Sequence, residues 1–256
     1  MTRVLAVANQ KGGVGKTTTA ISLGACLADR GLRILLIDAD PQGNATAGLG
    51  LEGESGRSMY EVLVDGSPLA AAIVETGQAN LWLVAATPDL AGAEVEMVPL
   101  ARREFRLREA LTGESGRYDA VIIDCPPSLG LLTVNALTAA DAVIVPVQCE
   151  YLALQGLGRL IQTLDLVRQN LNRNLRLQGL LLTMYDGRTK LSQQVADEVR
   201  RHFPNTFRTV IPRNVRLSEA PSYGLPIRAY SRSSRAGKAY EAFADEVMAG
   251  LGKVPA

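Results

Sequence analysis

Histidine is almost absent from this 256-residue chain: His202 is the single one. It closes a charged stretch with Glu198, Arg200 and Arg201, where a lone histidine reads as solvent-exposed, so it is assigned no catalytic role. Cysteine is scarce as well. Cys26, Cys125 and Cys149 are far apart and form no C-x-x-C. That excludes a disulfide framework, suits a reducing cytoplasm, and leaves small buried apolar filler as their role. Aromatic residues make up 5%, with Trp82 the one tryptophan, too few for a platform that stacks single-stranded bases. Long apolar runs are missing too. Ala120–Ile123 and Ala142–Val147 fit strands and are far too short to cross a bilayer. The opening Met1-Thr2-Arg3-Val4 leads straight into a candidate strand, so no signal peptide is expected. No Pro/Ser/Gly-rich linker divides the chain, so a single domain over 1–256 is expected.

The net charge of +1 argues neither for nor against a polyanion partner, but its distribution does. Gly187 to Lys238 carries eleven Lys/Arg against three Asp/Glu, while the remainder carries sixteen against twenty-three. Such asymmetry is the footprint of a surface that binds a polyanion.

Short β-branched or Leu-rich runs alternate with helical patterns. Strands are expected at 3–9, 33–38, 80–85, 119–124, 142–148, 177–183 and 207–211. Helices are expected at 17–29, 97–111, 130–138, 153–169, 191–203 and 234–250, the last carrying Tyr240, Phe243, Val247 and Leu251 at helical spacing. Strands separated by helices need crossover connections. The fold class is therefore α/β, a mainly parallel twisted sheet with helices on both faces. Continuous apolar strands such as Val121-Ile122-Ile123 suit a sheet covered on both sides. Gly31 stands where the first helix should stop, and Pro126-Pro127 blocks a helix directly after Asp124. Segment 50–79 is rich in Gly, Glu and Ser, has a weak helical pattern around Met59–Val64, and is assigned no element.

Three stretches carry chemistry. The first is Asn9-Gln10-Lys11-Gly12-Gly13-Val14-Gly15-Lys16-Thr17-Thr18, between an apolar strand and a helix. Glycines let backbone N–H groups converge on phosphate oxygens, and the following helix offers its positive end. Lys16 is placed to reach the β- and γ-phosphates, and Thr17 to ligate Mg²⁺. The common P-loop has glycine six residues before that lysine, where this chain has Gln10. A second lysine, Lys11, stands just ahead of the glycines, with no phosphate of its own loop in easy reach. It could serve a nucleotide held by another subunit. The second and third stretches are Leu35-Leu36-Ile37-Asp38-Ala39-Asp40-Pro41-Gln42-Gly43-Asn44 and Val121-Ile122-Ile123-Asp124-Cys125-Pro126-Pro127. Ligands of open parallel sheets bind beyond the carboxyl ends of the strands. Both acidic ends should therefore face the same crevice as the glycine loop. Asp124 has the position of a Mg²⁺-side aspartate. Asp40 is the candidate for orienting the attacking water, also on the metal side through water, and Asp38 for supporting Mg²⁺ or the loop.

Lys11–Thr18 resembles the deviant Walker A motif of the ParA/MinD group of P-loop ATPases. Asp38–Asn44 and Ile123–Pro127 resemble the group's second motif and Walker B. Asn9-Gln10, Asp40–Asn44 and Ile211-Pro212-Arg213-Asn214 resemble the ParA (Soj) branch, and the similarity covers nearly the whole chain. The resemblance implies a P-loop NTPase fold and an ATP- and Mg²⁺-dependent sandwich homodimer. In it Lys11 contacts phosphate across the interface, while Lys16 and the backbone of Gly12, Gly13, Val14, Gly15, Thr17 and Thr18 hold their own subunit's phosphates. Thr18 would meet the α-phosphate, and Met184, Pro212 and Asn214 would border the adenine. No Asn-Lys-x-Asp guanine-reading motif occurs, which also favours ATP.

For a ParA-type chain the dimer must hold double-stranded DNA without sequence preference. Arg188 and Arg216 match basic positions that serve this in the family, and Lys190, Arg200, Arg201, Arg213, Arg232, Arg235 and Lys238 could extend the surface. The implied partner is a ParB-type centromere-binding protein that stimulates hydrolysis. The implied task is chromosome or plasmid segregation by a cytoplasmic, nucleoid-associated protein. The nearest alternative is a MinD-like membrane ATPase that positions the division site. That branch uses a basic amphipathic C-terminal helix, whereas Ala239–Ala256 carries three acids and one lysine, so no membrane partner is expected. A metal-cluster carrier of similar architecture would need closely spaced interface cysteines, which this chain lacks.

Overall fold

The computed structural model describes residues 2–52, 56–150 and 153–250; Leu251, assigned above to the last helix, and the tail beyond it lie outside the described residues. In chain order the first half holds β1 (Arg3–Val7), α1 (Lys16–Ala28), β2 (Ile34–Asp38), α2 (Asn44–Gly48), β3 (Ile73–Glu75), β4 (Leu81–Val84), α3 (Leu90–Glu96), α4 (Arg106–Thr112) and β5 (Ala120–Asp124). The second half holds α5 (Leu131–Ala139), β6 (Ala142–Gln148), α6 (Ala153–Asn170), β7 (Arg176–Tyr185), α7 (Lys190–His202), β8 (Thr206–Pro212), α8 (Arg216–Glu219), α9 (Ile227–Ser231) and α10 (Arg235–Gly250).

The strands form one eight-stranded sheet in the order β3-β4-β2-β5-β1-β6-β7-β8. Every pairing is parallel except β3 with β4. Side chains alternate across a strand, and β1 shows the consequence. Leu5 and Val7 join a core with α1, α9 and α10, while Ala6 and Ala8 join the opposite core with α3 to α7. Burial on both faces explains why β2 and β5 are apolar without a break up to their terminal aspartates. Phe243 of α10 is fully buried and meets Phe207 of β8 edge-on at 4.9 Å. Truncating such a side chain to alanine costs about 3–5 kcal/mol.

All seven expected strands form. The helix expected over 97–111 does not. Pro99 lacks a backbone N–H and Arg102 sits at φ 54°, in the left-handed region. The segment therefore turns after α3, passes through a 3₁₀ turn at Arg103–Phe105, and only then enters α4. The unassigned 50–79 segment contributes a π-helical turn at Glu61–Asp65, a 3₁₀ turn at Leu69–Ala72, and β3. That strand adds an antiparallel edge of three residues paired with β4.

Candidate nucleotide site

The sheet order brings the motifs together. β1, which leads into the glycine loop, lies between β5 and β6, and β2 flanks β5. Val7 and Asp38 are both in register with Asp124. The loop and both acidic strand ends thus occupy three adjacent strand ends.

Gly13 and Gly15 adopt φ 71° and 90°, a left-handed conformation that other residues enter at a cost. Gly15 then starts α1, whose first turn has neither a side-chain cap nor an acidic residue. Its N–H groups are left for an anion. Two side chains brace the loop through three hydrogen bonds. Asn9 donates from Nδ2 to the Pro146 carbonyl at 2.7 Å and accepts from the Lys11 N–H at 3.0 Å. Thr183 of β7 donates to the Val14 carbonyl at 2.8 Å.

The two lysines of the loop have different surroundings. Lys16 is buried, and its ammonium donates to the Lys11 carbonyl at 3.3 Å. Burial lowers its pKa, resisted first by the charge of Asp124. Lys11 is part-exposed, with its Nζ 3.9 Å from Glu150 Oε2 just beyond β6.

Asp124 is fully buried, and neither carboxylate oxygen has a hydrogen-bond partner. Burial, then repulsion from Asp38, drives its pKa well above the usual carboxylate range. Asp38 is pushed up to about 6, chiefly by burial, although Thr46 donates to it from both backbone and hydroxyl at 2.8 Å. Asp40 is buried and accepts from the Gln42 N–H at 3.0 Å. An unpartnered carboxylate at such a site is costly unless something binds there. The Asp124 carboxylate and the Thr17 hydroxyl are the hard oxygen donors that a magnesium ion would take. Among the described residues no group of three or more His, Cys, Asp or Glu could hold a metal ion.

On the other side of β1, the ends of β7 and β8 border a pocket of about 150 Å³. Gly15, Thr18, Met184, Pro212 and Asn214 line it together with Thr183 and Tyr240. All three residues expected near adenine therefore meet, beside the end of the phosphate loop. Met184 sits at φ 51°, a strained choice for an unbranched apolar side chain.

The basic positions are distributed differently. Arg188 follows β7, Arg216 follows β8, and the two loops are tied by the Arg213 N–H to the Tyr185 carbonyl at 3.0 Å. Arg188 makes a bidentate pair with Asp186 at 2.7 and 2.9 Å, which lowers the Asp186 pKa to about 2. Arg216 pairs with Glu219 at 2.7 Å. The wider charge excess is not one surface. α7, which carries Lys190, Arg200 and Arg201, packs on one face of the sheet, and α10, which carries Arg235 and Lys238, on the other.

A protein-family model described as an AAA domain matches residues 2–177. The sporulation initiation inhibitor protein Soj of Bacillus subtilis is 54% identical over 251 residues, covering 97% of this chain and 99% of Soj. The chromosome-partitioning ATPase Soj of Thermus thermophilus is 54% identical over 96% of both chains. This chain belongs to the ParA/Soj family. A crystal structure described as cobyrinic acid a,c-diamide synthase from Mycobacterium smegmatis, with bound ATP analogue and magnesium, also aligns. It is 44% identical at a TM-score of 0.85, over 96% of this chain and 93% of that one.

In this ParA/Soj chain, sequence reasoning missed Thr46, Thr183 and Glu150. Thr46 lies two residues past the Asp38–Asn44 motif, and a hydroxyl at the start of a helix was the available signal. The contacts of Thr183 and Glu150 depend on strands far apart in sequence and leave no local pattern.

Proposed function

We propose that this chain is a single-domain DNA-partition switch in which ATP joins two copies and hydrolysis releases them. The observation that carries the reading is the division of labour between two lysines of one loop. Lys16 is buried beside Asp124 and serves its own subunit's phosphates, with the N–H groups of Gly12 to Thr18. Lys11 stands at the rim, where a second copy can approach.

The nucleotide is ATP with Mg²⁺. Thr17 and Asp124 would hold the ion, which would supply positive charge against the triphosphate. Asp40 orients the attacking water, while Asp38, clamped by Thr46, fixes the start of α2 beside it. Lys11 of the second copy adds a cation where charge develops, and one such contact in a water-poor site contributes about 3–4 kcal/mol. Turnover is therefore low in the monomer. Loss of the γ-phosphate removes the shared anion between two lysine-bearing loops, and the copies part. Thr18 meets the α-phosphate, and Met184, Pro212 and Asn214 enclose the adenine.

The paired dimer presents Arg188 and Arg216 twice, so ATP raises DNA affinity by avidity. Each arginine exchanges its carboxylate for a phosphate, which makes the affinity salt-dependent. A ParB-type centromere-binding protein stimulates hydrolysis, and chromosome or plasmid segregation is the task, carried out in the cytoplasm on the nucleoid. Identities of 54% to Soj proteins support this over a membrane-associated division-site ATPase. Among the described residues no helix is long and apolar enough to cross a membrane.

The test is duplex-DNA binding with ADP, ATP and a slowly hydrolysed analogue, across a salt series. Binding confined to the triphosphate states and falling steeply with salt is expected. Binding that ignores the nucleotide contradicts the switch. ATP-dependent sedimentation with anionic liposomes favours the membrane reading instead.

A further inference from the structure

Glu150 is the negative group set against Lys11. Its Oε2 lies 3.9 Å from the Lys11 ammonium, while its Oε1 accepts from Gln148 Nε2 at 2.6 Å and pairs with Arg213 Nη2 at 3.2 Å. The Glu150 N–H donates to the Gln148 carbonyl at 2.8 Å. Two donors thus fix one carboxylate oxygen from the ends of β6 and β8 and leave the other facing the glycine loop. Both members of the Lys11–Glu150 pair are part-exposed, at 37% and 46% of their side chains. At that exposure a pair is weak and screened by solvent, strong enough to bias a side chain and weak enough to be displaced by a triphosphate.

We propose that Glu150 is a positioning residue that holds Lys11 on its own subunit, so that joining a second copy requires a partner's phosphates to outcompete the carboxylate. Glu150 then sets the threshold of assembly. It opposes dimerisation in the nucleotide-free chain, and its anchor through Arg213 connects that hold to the loop lining the adenine pocket. The inference rests on the cross-subunit reading of Lys11.

Glu150→Gln is the deciding variant. It keeps an oxygen that can accept from Gln148 and removes the charge. The first readout uses the nucleotide-free monomer and follows acetylation of Lys11 by acetic anhydride, site by site, in a mass spectrometer. The second is the concentration of slowly hydrolysed ATP analogue, with Mg²⁺, at which half the chain is dimeric. We expect Lys11 to be modified about two- to five-fold faster in the variant, and the midpoint to fall by a similar factor. Glu150→Asp, which keeps the charge, should return both readouts toward wild type. Unchanged Lys11 modification overturns the hold. Faster modification with an unchanged or higher midpoint also overturns it, because the pair would then not oppose assembly. A wild-type chain that never dimerises removes the cross-subunit reading, and this inference with it. The acetylation result, obtained on monomer, still shows separately whether the two side chains are paired.

Discussion

The glycine-loop crevice and the basic edge beyond β7 and β8 both concentrate charge, and they do so in opposite ways. In the crevice two charged groups, Asp124 and Lys16, are buried and short of partners. Asp124 has no hydrogen bond at all, and Lys16 is held by a lone carbonyl and the charges around it. On the edge the charges are exposed and satisfied, Arg188 by Asp186 and Arg216 by Glu219. A buried, unpaired charge carries a free-energy cost that only a ligand relieves, so it marks a binding site by itself. An exposed paired arginine costs nothing and marks nothing until a polyanion arrives. The crevice should therefore respond to single substitutions strongly and regardless of salt, and the edge weakly and in proportion to salt.

Lys16→Ala should show the largest effect. It leaves Asp124 and the triphosphate without the buried cation between them, a loss of about 3–5 kcal/mol. Calorimetry should find no nucleotide binding, and retained binding would mean that the loop is misread. Asp40→Ala comes next. The variant should bind ATP and stay dimeric while hydrolysis falls about 100- to 1000-fold; a variant that stays monomeric with ATP contradicts the water-orienting role.

Asp38 offers a test without nucleotide. Its folded pKa is raised, so the fold holds this proton more tightly than the unfolded chain does. Its contribution therefore lowers stability as pH rises from about 4 to about 6, and the whole cost of burying the ionised group is present above that. Asp38→Asn should remove about 1–3 kcal/mol of this slope, with Asp124, shifted the same way, keeping the rest. The difference between wild-type and variant urea midpoints at pH 4.5 and 7 reads it directly. Equal differences at both pH values would contradict the burial argument.

The smallest effect belongs to the edge. Arg216→Glu should weaken DNA binding about ten-fold and shallow its salt slope by about one to two, with dimerisation intact. Equal loss at every salt concentration would make the edge resemble the crevice and break the contrast.

The same contrast governs what the sequence made legible. The phosphate loop and the two aspartate-terminated strands are local patterns, and parallel crossover topology was enough to bring them to one crevice. The enclosure of a pocket by Met184, Pro212 and Asn214 came only through resemblance, since nothing in their own spacing points to adenine. The break of 97–111 was visible in Pro99 but lost under an apolar periodicity that continues past it. Strand β3 was hidden because three residues in a polar segment are too few to show alternation. The basic third looked like one surface because counting along the chain cannot see a sheet dividing α7 from α10. Thr183 meets Val14 and Glu150 meets Lys11, each more than a hundred residues away, where no sequence window reaches.

The proposed switch depends on Lys11 completing a second copy's phosphate site. Sedimentation velocity of wild-type and Lys11→Ala chains, saturated with a slowly hydrolysed ATP analogue and Mg²⁺, tests it most directly. Wild type should sediment as a dimer and Lys11→Ala as a nucleotide-bound monomer; a wild-type chain that stays monomeric, or a variant that dimerises equally well, contradicts the cross-subunit role.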